Sequence, residues 1–184
     1  STRKFSRQPI TFTQLSNMLY SLTTPTHSDF DDKKSMVDIY FIANDVTNMQ
    51  KGAYFLNRKD NSIDLLKANV QRDVSGYLCL EQSLFSDASV VFYIMTNLGL
   101  IVDILGNRGY RSCQFESGII AGRIYLSAYN QKIGASGSTF YDDAVSEFFS
   151  PHAKDKDVMI SVGIGIPNYR SKPGRILAGK FSRD

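Results

Sequence analysis

Cysteine and histidine are scarce in this chain, and that scarcity removes several chemistries at once. Of 184 residues, two are Cys and two are His. His27 and His152 lie far apart, with no Cys or carboxylate at ligand spacing, so the usual zinc patterns are absent. Cys79 and Cys113 both sit in apolar stretches and read as reduced, buried thiols of a cytoplasmic protein, not as a disulfide framework. No apolar run approaches the roughly 18 residues of a membrane span. The chain opens Ser1-Thr-Arg-Lys-Phe, in place of the apolar leader of a secreted protein. It opens without a methionine, which points to processing or to a domain cut from a longer polypeptide. Gly106-x-x-Gly109 and Gly163-x-Gly165 fall short of the Gly-x-Gly-x-x-Gly dinucleotide fingerprint, the second lying within an expected strand. Ser150 stands close to His152, but neighbours in a connector do not supply the convergent geometry of a nucleophilic triad.

What is present is the composition of a globular protein. With 42% apolar and 21% charged residues, 13 Gly and 5 Pro, residues 1–184 read as one domain with a substantial core. The net charge of +3 is unevenly spread. Arg3, Lys4 and Arg7 open the chain, and Arg170, Lys172, Arg175, Lys180 and Arg183 close it. Between residues 11 and 169 there are 13 basic and 17 acidic residues, a middle of net −4. Two basic ends on a mildly acidic body fit either solvated tails or a shared anion site. A nucleic-acid partner needs a concentrated basic face with exposed aromatics or a known motif, and neither is present.

Taken in order, Thr11 and Gln14 have capping-box spacing ahead of a helix whose apolar stripe is Leu15, Met18, Leu19 and Leu22. Residues 23–34 are polar and acidic and read as an exposed loop. Residues 37–44 form a buried strand; 52–57 and 62–66 form a hairpin around the turn chemistry at 58–61. A weaker helical pattern covers 70–83. Residues 89–96 (SVVFYIMT) are apolar on both faces and predict a central strand. A short helix over 98–105 ends at Gly106, a helix near 142–149 begins with Asp142 and Asp143, and a last strand covers 158–166. The order is α+β, with a mixed or antiparallel sheet.

The stretch from Tyr110 to Asp143 organises the rest. Residues 112–132 contain no proline and predict a long helix. Cys113, Phe115, Ile119, Ile120, Ile124, Leu126, Ala128 and Tyr129 leave little of its circumference polar, which predicts a core helix packed on several sides. Gly118 and Gly122 leave a shallow side where another backbone can approach. Gly134 supplies a stop, and residues 135–139 read as a loop of small residues delivered to a ligand.

Within that stretch the ordered motifs Gly-Tyr-Arg, Glu-x-Gly, Ile-Tyr-Leu-x-Ala, Gly-Ala-Ser-Gly and Phe-Tyr-Asp-Asp resemble the SagB-type dehydrogenase branch of the flavin-dependent nitroreductase superfamily. The resemblance extends over most of the chain. Ser1-Thr-Arg-Lys-Phe with the following Pro-Ile-Thr is similar to the opening motif that grips the FMN phosphate. Val37-Asp-Ile-Tyr with Lys51-Gly-Ala-Tyr is similar to the family's strand and turn, and Phe148-Phe-Ser-Pro-His-Ala to the segment after the flavin loop.

The resemblance implies a nitroreductase-like fold wrapped about the long helix, FMN as cofactor, and hydride exchange through the flavin N5 with a small organic or peptide-derived substrate. It assigns Ser1, Arg3, Arg170, Lys172 and Arg175 to the phosphate, where guanidinium groups bind bidentately. Ser136, Gly137, Ser138 and Thr139 fall to the ring, where small residues admit a close backbone approach. Tyr110 and Arg111 are the substrate-side candidates. As partner it implies a second copy, or a second nitroreductase-like domain, with flavin at the interface.

Two positions depart from the pattern. Asp29-Phe-Asp-Asp-Lys stands where the family has a flavin-touching Pro-Ser-x-Gly loop. Arg111-Ser112 stands where peptide azoline oxidases carry Lys-Tyr, and arginine does not readily give up a proton, so azoline oxidation is not implied. A second reading therefore stays open: a non-catalytic domain that keeps the fold, has lost flavin, and serves in pairing or peptide binding.

Overall fold

The computed structural model describes residues 1–25 and 35–169. His27, the acidic segment 29–33 and the basic residues Arg170, Lys172, Arg175, Lys180 and Arg183 lie outside the described residues. The chain starts with a two-residue strand β1 (Ile10–Thr11), paired in parallel with β3 (Val46–Thr47). Thr11 also caps helix α1 (Phe12–Thr23): its hydroxyl accepts from Gln14 N at 3.1 Å, and its own N–H donates to Gln14 Oε1 at 2.8 Å. This is the reciprocal pair that the Thr-x-x-Gln spacing predicts. Leu15, Met18, Leu19 and Leu22 are the helix's buried face.

The main sheet has six antiparallel strands. They are β2 (Asp38–Ala43), β4 (Gly52–Asn57), β5 (Ser62–Ala68), β6 (Val90–Thr96), β7 (Gly134–Ser138) and β8 (Asp157–Gly165), in the order β5-β4-β2-β6-β8-β7. All seven residues of β6 are buried, as its unbroken apolar run requires. Successive side chains point to opposite faces, so the central strands feed two cores. Ile39, Phe41, Val90, Phe92 and Ile94 pack under α1 and the long helix α5 (Arg108–Asn130). Tyr40, Ile42, Val91, Tyr93 and Met95 pack under α2 (Arg72–Leu78), α3 (Ser83–Asp87) and α6 (Asp142–Phe149). The helix expected over 70–83 is thus shorter, α2 alone, and a turn in which Leu80 and Glu81 both take positive φ separates it from α3.

Helix α4 (Leu98–Leu105) ends at Gly106, φ +61, and doubles back onto the first turn of α5. A Cβ on Gly109 would come within 2.8 Å of the Ile101 carbonyl, so the close fit needs glycine there. Helix α5 begins four residues earlier than the sequence predicts and runs 23 residues, about 33 Å at 1.5 Å per residue. The expectation that it is packed on all sides is corrected. Cys113, Ile120, Ala121, Ile124 and Ala128 are buried, while Tyr110, Phe115, Leu126 and Tyr129 are between 48% and 73% exposed.

The small-residue stretch is also corrected, from loop to edge strand. Gly134 pairs with Gly165, Ser136 with Gly163 and Ser138 with Ser161. The β8 glycines make room for rings: a Cβ on Gly163 would meet Phe85 at 2.9 Å, and one on Gly165 would meet Phe5 at 3.0 Å. Pairing with this strand orders a sequence whose composition alone disfavours a strand.

Candidate functional site

The N-terminal segment lies across the outer edge of β7 and the end of β8. Thr2 N donates to Ala135 O at 2.7 Å, Ser6 N to Ile166 O at 2.9 Å, and Asn168 N to Lys4 O at 2.8 Å. Thr2 is buried over Gly134, which has no room for a Cβ beneath it. These ties bring Ser1 to the C-terminal half of α5, where Tyr125 is the meeting point. Its phenol oxygen accepts from Gly137 N at 2.5 Å, lies 3.2 Å from Ser1 Oγ, and its ring stands edge-on to Tyr129 at 5.8 Å. Tyr169 Oη donates to Ser1 O at 3.0 Å. Burial raises the Tyr129 pKa, and the neighbouring Tyr125 and Tyr169 push it the same way, so the phenol remains neutral at ordinary pH.

The sequence-derived cofactor set therefore divides. Ser1 and Gly137 meet through Tyr125; Arg3 and Thr139 are exposed close by in sequence. Ser138 is held from behind, its Oγ accepting from Gln82 Nε2 at 2.8 Å and its carbonyl from Ser161 Oγ at 3.0 Å. Ser136 is buried, and its backbone faces β8 opposite Gly163, because alternate residues of an edge strand turn their N–H and C=O toward the partner strand. Tyr110 and Arg111 sit at the far end of α5. Fifteen residues separate Tyr110 from Tyr125, about 22 Å of helix, so one chain does not bring them to the β7 segment.

Glycine 137 is unlike its neighbour Gly134. A Cβ there would lie 3.5 Å from Tyr125 Oη and 3.7 Å from Ser161 O, which are ordinary contacts. Among the described residues Gly106 is the one glycine with positive φ, so the backbone does not call for glycine at 137 either. The residue is exposed. Gly118 and Gly122, on the outer face of α5, are the same: a Cβ at either would meet nothing within 4 Å.

Helix α5 also secures the entry to β2. Glu116 accepts from Met36 N at 2.8 Å and from the Ser35 hydroxyl, while Arg123 donates to Thr24 O at 2.5 Å and Pro25 O at 3.2 Å. On the opposite face of the sheet, Lys156 Nζ donates to Asp38 Oδ2 at 2.7 Å and to Tyr40 Oη at 2.8 Å. Tyr40 Oη is also 2.9 Å from His152 Nδ1. Burial works to lower the Lys156 pKa, but its bonds to Asp38 and Tyr40 outweigh that and leave it raised. His152 is thereby engaged with Tyr40, and Ser150 Oγ donates to Ser146 O at 2.8 Å, so the two do not form a nucleophile–base pair. Among the described residues no cluster of His, Cys, Asp and Glu could hold a metal ion.

No protein-family model matches the chain. It is similar to MJ1384 of Methanocaldococcus jannaschii, a protein assigned a nitroreductase name, at 26% identity over 155 residues, 80% of this chain and 78% of that one. A structure from Anabaena variabilis, likewise assigned a nitroreductase name, superimposes with TM-score 0.79 and 24% identity over 91% of this chain. This chain spans 36% of that protein's length. The Escherichia coli microcin synthetase McbBCD complex with truncated pro-MccB17 bound contains a chain matching at TM-score 0.76 and 11% identity, over 92% of this chain and 69% of that one. An FMN-dependent nitroreductase from Clostridium difficile matches at TM-score 0.65 and 12% identity, over 100% of this chain and 93% of that one. The fold is nitroreductase-like. The sequence-level expectation of an α+β fold, with an antiparallel main sheet and a long helix against it, is thus observed. Tyr125, Gln82 and Ser161 were not singled out by sequence reasoning. Tyr125 stood only within the Ile-Tyr-Leu-x-Ala motif, with no role assigned to it.

Proposed function

We propose that the chain is an FMN-dependent oxidoreductase that transfers hydride to or from a small organic or peptide-derived substrate, acting as a pair of copies. Gly137 carries the reading. It is an exposed glycine that neither packing nor backbone conformation of this chain requires, beside the N-terminus that the family resemblance assigns to phosphate. A planar ring stacking or edging against backbone from outside is the kind of neighbour that excludes a Cβ. The exposed positions 137 and 139, with Ser138 between them, fit such a ring. Ser1 and Arg3 lie on the side from which a phosphate would be held, and Arg170, Lys172 and Arg175 are assigned to it by the resemblance. FMN would supply reversible hydride acceptance at N5. The chain's part is to aim N–H donors at the ring and to exclude water. Gly137 N–H already donates to Tyr125, and Ser138, like Ser136, turns its backbone toward β8, so Thr139 is the residue whose amide serves that role.

Pairing is supported by the outer face of α5, where Gly118 and Gly122 stand open between the exposed Phe115, Leu126 and Tyr129. A two-fold axis at the midpoint of the two glycines makes the paired helices antiparallel. Residue numbers then sum to about 240 across the axis, which places Tyr110 and Arg111 of one copy beside Asn130 and Tyr129 of the other. Pairing therefore brings the substrate-side candidates to the Tyr125–Gly137 corner that one chain alone keeps about 22 Å away. The Clostridium difficile neighbour is named as FMN-dependent, and the microcin complex as holding a pro-peptide, which supports the cofactor and the substrate class.

The test is a visible absorption spectrum of the purified protein before and after adding FMN and removing the unbound fraction. A retained flavin band is expected, and Gly137→Val is expected to abolish it with the fold intact. A colourless wild-type protein after both steps would move the assignment to a non-catalytic pairing domain.

A further inference from the structure

The turn between α2 and α3 contains an uncommon backbone. Leu80 and Glu81, consecutive and neither of them glycine, take φ of +59° and +57°. Bulky residues seldom occupy this region, and such conformations persist where the surroundings hold them, often at functional sites. Directly after them comes Gln82. Its Nε2 donates to Cys79 O at 2.9 Å and to Ser138 Oγ at 2.8 Å. The Cys79 carbonyl can only accept, so it fixes which way the amide points. The same turn holds the chain again three residues later, where Tyr141 N donates to Leu78 O at 3.0 Å. From the β8 side Ser161 Oγ donates to Ser138 O at 3.0 Å, and the Cys79 thiol donates to Ser161 Oγ at 3.6 Å. Ser138 is therefore tied at both its side chain and its carbonyl, Tyr141 at its nitrogen, and Thr139 and Phe140 span the interval.

We propose that Gln82 is a positioning residue for the flavin: with Ser161 it fixes Ser138, and through it sets the Thr139 amide toward the ring, and the left-handed pair Leu80–Glu81 places Gln82 to do so. This rests on the reading of that segment as the flavin contact. Gln82 touches neither cofactor nor substrate; it acts through Ser138. A donor held rigidly at N5 stabilises the charge that develops on reduction. Releasing Ser138 therefore weakens binding of the oxidised cofactor and lowers the flavin midpoint potential.

The experiment compares the full chain with Gln82→Met, which keeps the bulk and loses the amide, and with Ser161→Ala, which cuts the second tie. Ser146→Ala is the control, because it removes a similar half-buried hydrogen bond, Ser146 Oγ to Lys156 O at 2.7 Å, on α6. FMN dissociation constant, midpoint potential and Tm are measured for each. The expected result is an FMN dissociation constant raised roughly tenfold, as for loss of one hydrogen bond, in both site variants. Their midpoint potentials should fall, while the control loses comparable Tm and moves neither. Wild-type constants and potential in Gln82→Met, or Tm losses alone in all three, overturn the proposal and leave the flavin reading standing. If Gln82→Met does not fold, Ser161→Ala decides by the same readouts. A wild-type protein that binds no FMN removes both.

Discussion

The two faces of α5 are built from similar residues and end in opposite surroundings. Inward, Cys113, Ile120, Ala121, Ile124 and Ala128 are buried against the sheet and α1. Outward, Phe115, Leu126 and Tyr129 stand in solvent, with Gly118 and Gly122 open between them. Apolar composition says that a face is to be covered, but not whether the covering surface belongs to the same chain. The glycines make the distinction. Gly109, on the inner side, is pressed against a carbonyl of α4, whereas Gly118 and Gly122 meet nothing.

The sharpest break in this comparison is a truncation on each face. Ile124→Ala should cost about 2–5 kcal/mol, the range for deleting a buried aliphatic side chain without collapse of the site. Leu126→Ala should cost no more than about 0.5 kcal/mol at concentrations where the protein is monomeric. Urea denaturation at low protein concentration measures both. Equal losses would mean that the outward face is buried within one chain after all.

A substitution that closes the groove acts on association instead. Gly122→Leu fills the open side without touching the protomer's own packing, so its monomer stability should not fall and should rise by about 0.5–1 kcal/mol from the gain in helix propensity. The dimer dissociation constant should rise by about two orders of magnitude, on the order of 2.7 kcal/mol. Light scattering across a dilution series reads the effect. An unchanged dissociation constant would send the search for the pairing surface elsewhere, and a monomeric wild type would remove the pair altogether.

Legibility from sequence followed the range of the interaction. The Thr11–Gln14 capping box and the stripe of α1 depend on contacts three or four residues apart, and both were readable. The both-faces-apolar run of β6 marked a central strand for the same reason. Strand β7 was not readable, because Gly-Ala-Ser-Gly-Ser carries no β-branched or aromatic residue. Its order comes from β8, more than twenty residues away, and from the N-terminal segment across its outer edge. Of the site, Gly137 was chosen for its small size, and the structure adds that the fold does not need it small. Gln82 and Ser161 were out of reach: they meet Ser138 across 56 and 23 residues of chain, and nothing local to either signals it.

The smallest effect contrasts the two faces of the sheet through their cysteines. Both thiols are free, buried and raised in pKa by burial first; Cys79, under α2 on the face away from α5, is pushed up to about 11 from 9.0. A raised pKa means that the unfolded chain loses its proton first. Stability from this group is therefore complete below about pH 9 and is lost as pH rises through 11, by up to about 2.7 kcal/mol at 1.36 kcal/mol per unit. Buried Tyr40 and Tyr93 are raised as well and join the same descent above about pH 10. Thermal unfolding from pH 8 to 10.5 should show Tm dropping with pH, and Cys79→Ala should flatten the first part of that slope even though its Tm starts lower. Parallel slopes for the two proteins would mean that the thiol ionises as readily in the folded chain as in the unfolded one, and that this face of the sheet admits water.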